Sequence, residues 1–168
     1  MIGSYSVKFL RHSEINENLI NKIIVLKQQH WPHPYISQKN WINSNLNAND
    51  YHVIIQDSEC NILAYLNLVY RKINEMPILG IGNVCVSKQN LSKGMGKLLM
   101  HNCKYHAKNL SLDLVLLCKL DLVSFYKKCG FFEFINKVYI DGKLFANCIM
   151  FSETKYLLNK EIRIDKSF

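Results

Sequence analysis

Residues Leu79 to Lys97 read Leu-Gly-Ile-Gly-Asn-Val-Cys-Val-Ser-Lys-Gln-Asn-Leu-Ser-Lys-Gly-Met-Gly-Lys. A short apolar strand ends at Val86, a polar loop follows, and Gly94 and Gly96 open an amphipathic run that reaches about Leu110. The first N–H groups of a helix lack intrahelical partners, and the aligned peptide dipoles add partial positive charge there. Glycines at such a turn let an anion approach the backbone without meeting a Cβ. Lys88, Lys93 and Lys97 add formal charge around the same point. The stretch reads as a cradle for a pyrophosphate, with a glycine turn before an ordinary helix as the competing reading.

Two common nucleotide motifs fail on these residues. A dinucleotide fingerprint needs a third glycine, but Gly94-Met95-Gly96 continues as Lys97-Leu98-Leu99. A phosphate-binding Walker loop needs Ser or Thr after Gly-Lys, and Gly96-Lys97 is followed by Leu98.

Val84-Cys85-Val86, Leu91 through Leu99, and the later run Phe125-Tyr126-Lys127-Lys128-Cys129-Gly130-Phe131 together resemble the GNAT superfamily of acetyl-CoA-dependent N-acetyltransferases. Its loop signature is Arg/Gln-x-x-Gly-x-Gly/Ala, and the resemblance covers Leu79 to Phe132. Leu91 stands where that signature has Arg or Gln, which removes a side-chain contact and leaves the backbone donors. The resemblance implies that backbone groups of Val84, Cys85 and Val86 pair with the pantetheine arm. It further implies that Leu91, Ser92, Lys93, Gly94, Met95, Gly96 and Lys97 hold the pyrophosphate, and that Tyr126 approaches the coenzyme A sulfur as general acid. Read without the resemblance, Tyr126 is also a core aromatic beside Phe125, Phe131 and Phe132.

Many members of that family carry a carboxylate near the end of the cofactor strand. The corresponding residues here are Gly82 and Asn83, and neither takes a proton from an ammonium ion; Asn83 can still orient the acceptor or a water. His33, Glu75 and Glu133 are the alternative bases, and the assignment stays open. The break His30-Trp31-Pro32-His33-Pro34-Tyr35 falls where the family places its acceptor-binding loop, so Trp31, His33 and Tyr35 are implied as acceptor contacts. A hydrophobic plug between helices is the alternative for the tryptophans.

The remaining chain fits around this centre. At 168 residues and 49% apolar content it has the composition of one globular domain. No stretch resembles a signal peptide or approaches the ~20 apolar residues of a membrane helix, so a cytoplasmic, membrane-free protein is expected. Cys60, Cys85, Cys103, Cys118, Cys129 and Cys148 include no Cys-x-x-Cys pair and no zinc-like grouping, and most sit within apolar periodic segments, which predicts mostly small buried thiols in a reducing compartment and no metal. The net charge of +8 comes from scattered lysines rather than a nucleic-acid-binding block, and suits a polyanionic cosubstrate.

Patterning predicts a strand over Tyr5–Leu10, a helix capped by Ser13, a second short helix capped by Ser37, and antiparallel strands at Tyr51–Gln56 and Ile62–Tyr70. After the cofactor strand and its helix come a parallel strand at Asp113–Cys118 and a short helix Leu122–Lys128 closed by a left-handed Gly130. Phe132–Ile140 and Leu144–Phe151 flank Asp141-Gly142, a hairpin signal. Residues 1–152 form the expected single domain and 153–168 a charged tail. The resulting class is α+β, a three-layer α/β arrangement with a mixed, mostly antiparallel sheet and helices on both faces. The expected activity is acetyl transfer from acetyl-CoA to a small primary amine by a monomer or homodimer. A coenzyme A-binding module without turnover and a peptide or protein acetyltransferase are the alternatives.

Overall fold

The computed structural model describes residues 4–168. Among these, the strands are β1 (Tyr5–Arg11), β2 (Tyr51–Asp57), β3 (Ile62–Ile73), β4 (Met76–Val86), β5 (Leu114–Cys118), β6 (Phe132–Phe134), β7 (Lys137–Ile140), β8 (Lys143–Leu144), β9 (Cys148–Phe151) and β10 (Glu161–Ile164). The helices are α1 (Glu17–Gln28), α2 (Tyr35–Asn45), α3 (Met95–Asn109) and α4 (Val123–Lys128). This is the expected mixed α+β class. Two compact units share these elements: the chain up to Val69 with Asn83–Asn102, and Tyr70–Gly82 with Cys103–Phe168.

In the first unit β1, β2 and β3 form an antiparallel meander, running from Tyr5↔Asp57 to Arg11↔Tyr51 and from Tyr51↔Leu68 to Gln56↔Ile62. Isoleucine spacing on α1 gives it one apolar stripe. Ile20, Ile23 and Ile24 meet Ile42 of α2, Ile54 of β2, Tyr65 of β3 and Cys85 of β4 in a single buried cluster. The cap of α1 is Asn16, whose side chain accepts from the Leu19 N–H at 2.9 Å, and not Ser13. Ser13 lies in a preceding 3₁₀ turn tied down by the His12 N–H to Asp50 and the Ser13 N–H to Ala48. Nor does Ser37 cap α2. Pro34 occupies that position, where its missing N–H costs nothing, and the helix begins at Tyr35.

In the second unit β4 runs parallel to β5 with Leu79↔Leu114, Gly80↔Val115 and Ile81↔Leu116, as the intervening helix requires. β5 pairs antiparallel with β9, and β9 with β6. Asn74 and Glu75, at φ 45° and 69°, make the tight turn between the neighbouring strands β3 and β4. Asp141 and Gly142 turn as expected, at φ 51° and 74°, but the flanking arms do not form one long hairpin. β7 pairs with β8 for two residue pairs and runs parallel to β10, whereas β6 goes to β9. Ile162 and Ile164 of β10 are buried with Val138, Ile140 and Phe151. The segment read as a charged tail therefore contains a strand whose alternate residues complete this core.

Candidate functional site

The exit of β4 is held by three contacts within the first unit. The His30 ring nitrogen Nε2 lies 2.6 Å from the Val86 carbonyl, the Ser87 N–H donates to Leu63 at 2.8 Å, and the Lys88 N–H donates to Gln29 Oε1 at 2.9 Å. A 3₁₀ turn over Lys88–Asn90 follows. Ser92 and Gly94 then take left-handed backbone, φ 61° and 82°, which reverses the chain into α3. The bond from the Leu98 N–H to the Gly94 carbonyl at 3.0 Å makes Gly94 the cap residue, so the amides of Met95, Gly96 and Lys97 form the free first turn. Among the described residues, a Cβ placed on Gly94 would meet no heavy atom within 4 Å. Lys93 and Lys97 are exposed alongside it. Backbone donors and the helix dipole at a turn of this kind suit an anion.

A pocket of about 390 Å3 in the same unit is lined by Lys27, Trp31, His33, Ser37, Gln38, Trp41 and Asn83. It thus unites Trp31 and His33 from the helix break with Asn83 from β4, three residues singled out from sequence. Tyr35 does not line it; its hydroxyl donates to Asn21 Oδ1 on α1. The Gln38 side-chain NH₂ donates to the Trp31 carbonyl at 2.9 Å and fixes the break's conformation. Asn83 takes left-handed backbone, φ 54°, and donates from Nδ2 to Asn67 Oδ1 at 2.6 Å. Asn67 is fully buried, and among the described residues its own Nδ2 has no hydrogen-bond partner.

Lys27 is the residue that sequence reading passed over. It is 2% exposed, and its Nζ lies 4.8 Å from the Trp41 ring centroid. Burial pushes its ammonium down to about 8, against a smaller opposing effect of Cys85. The signal was its spacing, since Ile20, Ile23, Ile24 and Lys27 share one face of α1. A second overlooked feature is a part-buried chain in which His12 Nδ1 lies 2.9 Å from His52 Nε2 and His52 Nδ1 lies 2.9 Å from the Tyr65 hydroxyl. Burial, then the neighbouring His12 and Lys27, pushes His52 down to about 3.

In the second unit Tyr126 sits on α4, 5% exposed, in edge contact with Phe125 at 5.0 Å and Phe131 at 6.3 Å between centroids. Burial raises its phenol well above the ordinary range, with Cys118 and Cys129 adding to it. Gly130, at φ 80°, closes α4 through the Gly130 N–H to Lys127 and the Phe131 N–H to Tyr126, a Schellman ending that fixes the tyrosine's helix. Glu75 lies in the β3/β4 turn and Glu133 is ion-paired with Lys127 at 2.8 Å; neither lines the pocket. Burial pushes the Cys85 thiol up to about 12, which disqualifies it as a nucleophile at neutral pH. Among the described residues no group of three or more His, Cys, Asp or Glu side chains is arranged to hold a metal, and no helix is long and apolar enough to cross a membrane.

A strand thus leads through a left-handed turn into a helix start within an α+β fold. Residues 12–149 match the family model described as "Acetyltransferase (GNAT) domain", and the chain belongs to that family. Its fold is similar to that of an acyl-CoA N-acyltransferase from Pseudomonas aeruginosa, with a TM-score of 0.67, 18% identity, and 89% of this chain and 100% of that chain covered. It is also similar to the GNAT family N-acetyltransferase YhbS from Escherichia coli solved in complex with CoA, with a TM-score of 0.68 and 12% identity over 98% of this chain and 92% of that one. A mutant of the spermidine N-acetyltransferase SpeG from Vibrio cholerae gives a TM-score of 0.64 and 16% identity over 93% and 97% of the two chains. At these identities the likeness is one of fold. No curated protein matches the sequence.

Proposed function

We propose that this protein transfers the acetyl group of acetyl-CoA to the primary amine of a small molecule. The observation that carries this reading is the loop from Ser92 to Lys97, where two left-handed residues present the unpaired amides of a helix start to open space. Acetyl-CoA supplies a thioester carbonyl, and the amine nitrogen bonds to that carbon as the carbon–sulfur bond breaks. The loop amides and Lys93 and Lys97 hold the diphosphate, while Val84, Cys85 and Val86 offer backbone groups to the pantetheine arm. Placement of this kind contributes much of the rate, since well-oriented reactions reach effective molarities of about 10⁵ M or more.

The pocket of Trp31, His33 and Asn83 receives the acceptor. Asn83 spends its NH₂ on Asn67, which leaves its side-chain oxygen to orient the amine. Of the three candidate bases His33 is the one that lines this pocket, and its imidazole offers a ring nitrogen that can accept the ammonium proton. Tyr126 serves as the acid, its phenol protonated at neutral pH and able to donate to the departing sulfur. A coenzyme A-binding module without turnover is the second reading, favoured by an amide at Asn83 where a proton acceptor would serve better.

A thiol-release screen with acetyl-CoA against amino acids, amino sugars, polyamines and peptides tests the proposal. Release with at least one small amine is expected. Acetyl-CoA binding without release across the panel selects the non-catalytic reading, and release with peptides alone selects a protein acetyltransferase.

A further inference from the structure

The pocket contains a group that acyl transfer itself does not require. Lys27 lies on the apolar stripe of α1, one turn after Ile23, and is 2% exposed. Long cations on such a stripe normally carry the charged end out to water. Here the ammonium is kept at the pocket, over the face of Trp41 at 4.8 Å. Among the described residues the lining includes no Asp or Glu, so the ammonium faces a ring there and no carboxylate. Burial already weakens the ammonium, which is the expected response of a cation lacking a carboxylate neighbour.

An anion entering this pocket would gain a charge-assisted contact in a low-dielectric setting, whereas a second cation would meet uncompensated repulsion. The remaining walls, Trp31 and Trp41, suit a flat or apolar body, and about 390 Å3 accommodates a ligand the size of an aromatic amino acid. We propose that Lys27 selects acceptors that carry a carboxylate along with their amine, so that the substrate class is amino acids with an aromatic or apolar side chain and not polyamines. This inference rests on the pocket being the acceptor site. It separates this protein from the spermidine N-acetyltransferase whose fold it shares.

The test compares L-phenylalanine, phenylalaninamide, phenethylamine and spermidine as acceptors for wild type, Lys27→Met and Lys27→Arg, with binding of each to the acetyl-CoA-free protein followed by calorimetry. We expect kcat/KM for phenylalanine to exceed that for phenethylamine at least tenfold, and spermidine to be the poorest acceptor. In Lys27→Met that preference should collapse through KM, while Lys27→Arg restores most of it; both should bind acetyl-CoA as wild type does. A wild type that prefers phenethylamine or spermidine, or a Lys27→Met protein that keeps the carboxylate preference, overturns the proposal. If no acceptor releases thiol, the acyl-transfer reading falls. Calorimetry then decides this one, because phenylalanine binding that is absent or indifferent to Lys27 contradicts it.

Discussion

Lys27 Nζ stands 4.8 Å from the centre of the Trp41 ring, on a helix face otherwise made of isoleucine and leucine. The contact offsets part of the cost of desolvating the ammonium, about 0.5–2 kcal/mol by the usual worth of a cation–π pair. It does not offset all of it, since burial leaves the group titrating at about 8 instead of its ordinary 10.5.

That depression fixes a sign. Between about 8 and 10.5 the unfolded chain binds a proton that the folded protein does not, so this group raises stability as pH climbs through that window and penalises folding below it. Lys27→Met should be more stable than wild type by about 1 kcal/mol at pH 7, given that buried charges are often replaced by apolar groups at a gain. The gap should narrow toward pH 10. Urea unfolding of both proteins at the two pH values measures it.

The buried imidazole of His52 works in the opposite range. Its pKa falls from 6.5 to about 3 through burial, then His12, then Lys27. The folded state therefore excludes a proton that the unfolded chain takes up as pH drops below 6.5. Stability present above 6.5 is lost on acidification toward 3, at up to about 1.4 kcal/mol per pH unit from this group. His52→Gln, which keeps a hydrogen-bonding side chain near Tyr65, should flatten the acid limb of a stability–pH profile.

Arg71 ties the C-terminal residues to β3. Its guanidinium donates to the Lys166 carbonyl at 3.2 Å and to the Ser167 carbonyl at 2.9 Å, and the Lys72 N–H donates to Asp165 at 2.8 Å. Phe168 lies against Gly80, where a Cβ would come within 2.7 Å of the ring. Arg71→Ala should cost about 2–3 kcal/mol, the worth of hydrogen bonds to a charged donor. Deletion from Glu161 onward removes the buried Ile162 and Ile164 and should cost about 3–6 kcal/mol. Thermal denaturation of the two variants would rank them in that order.

Tyr126→Phe removes a hydroxyl and little volume. If the phenol donates to the departing sulfur, kcat should fall about 10²-fold or more with the KM for acetyl-CoA unchanged, the usual worth of a positioned acid. Steady-state thiol release measures both parameters, and full turnover in the variant would remove the acid role.

The parts of this molecule legible from sequence are those in which local chemistry decides. Gly130, placed just after a short helix, and Gly142, in the Asp141-Gly142 turn, both adopt left-handed backbone. The parallel β4/β5 pair follows from a helix between two apolar runs. Ser13 and Asn16 are both competent caps; tertiary bonds to Ala48 and Asp50 draw the first into a 3₁₀ turn and leave the second to start α1. Four residues, Glu-Ile-Arg-Ile, are too short to stand out from a charged segment, and only the apolar partners on β7 reveal them as a strand. Lys27 escaped because a lone lysine on a helix ordinarily faces water, and nothing in its own identity announces Trp41 above it.

Everything functional rests on the turn at Ser92 and Gly94 receiving an acyl carrier. Calorimetric titration of acetyl-CoA into wild type and Gly94→Val tests this most directly, because a β-branched residue at φ 82° must distort the backbone donors while leaving the lysines in place. The account predicts one site of micromolar affinity in wild type and at least tenfold weaker binding in the variant. Absence of binding at micromolar wild-type protein, or equal binding by both proteins, would contradict it.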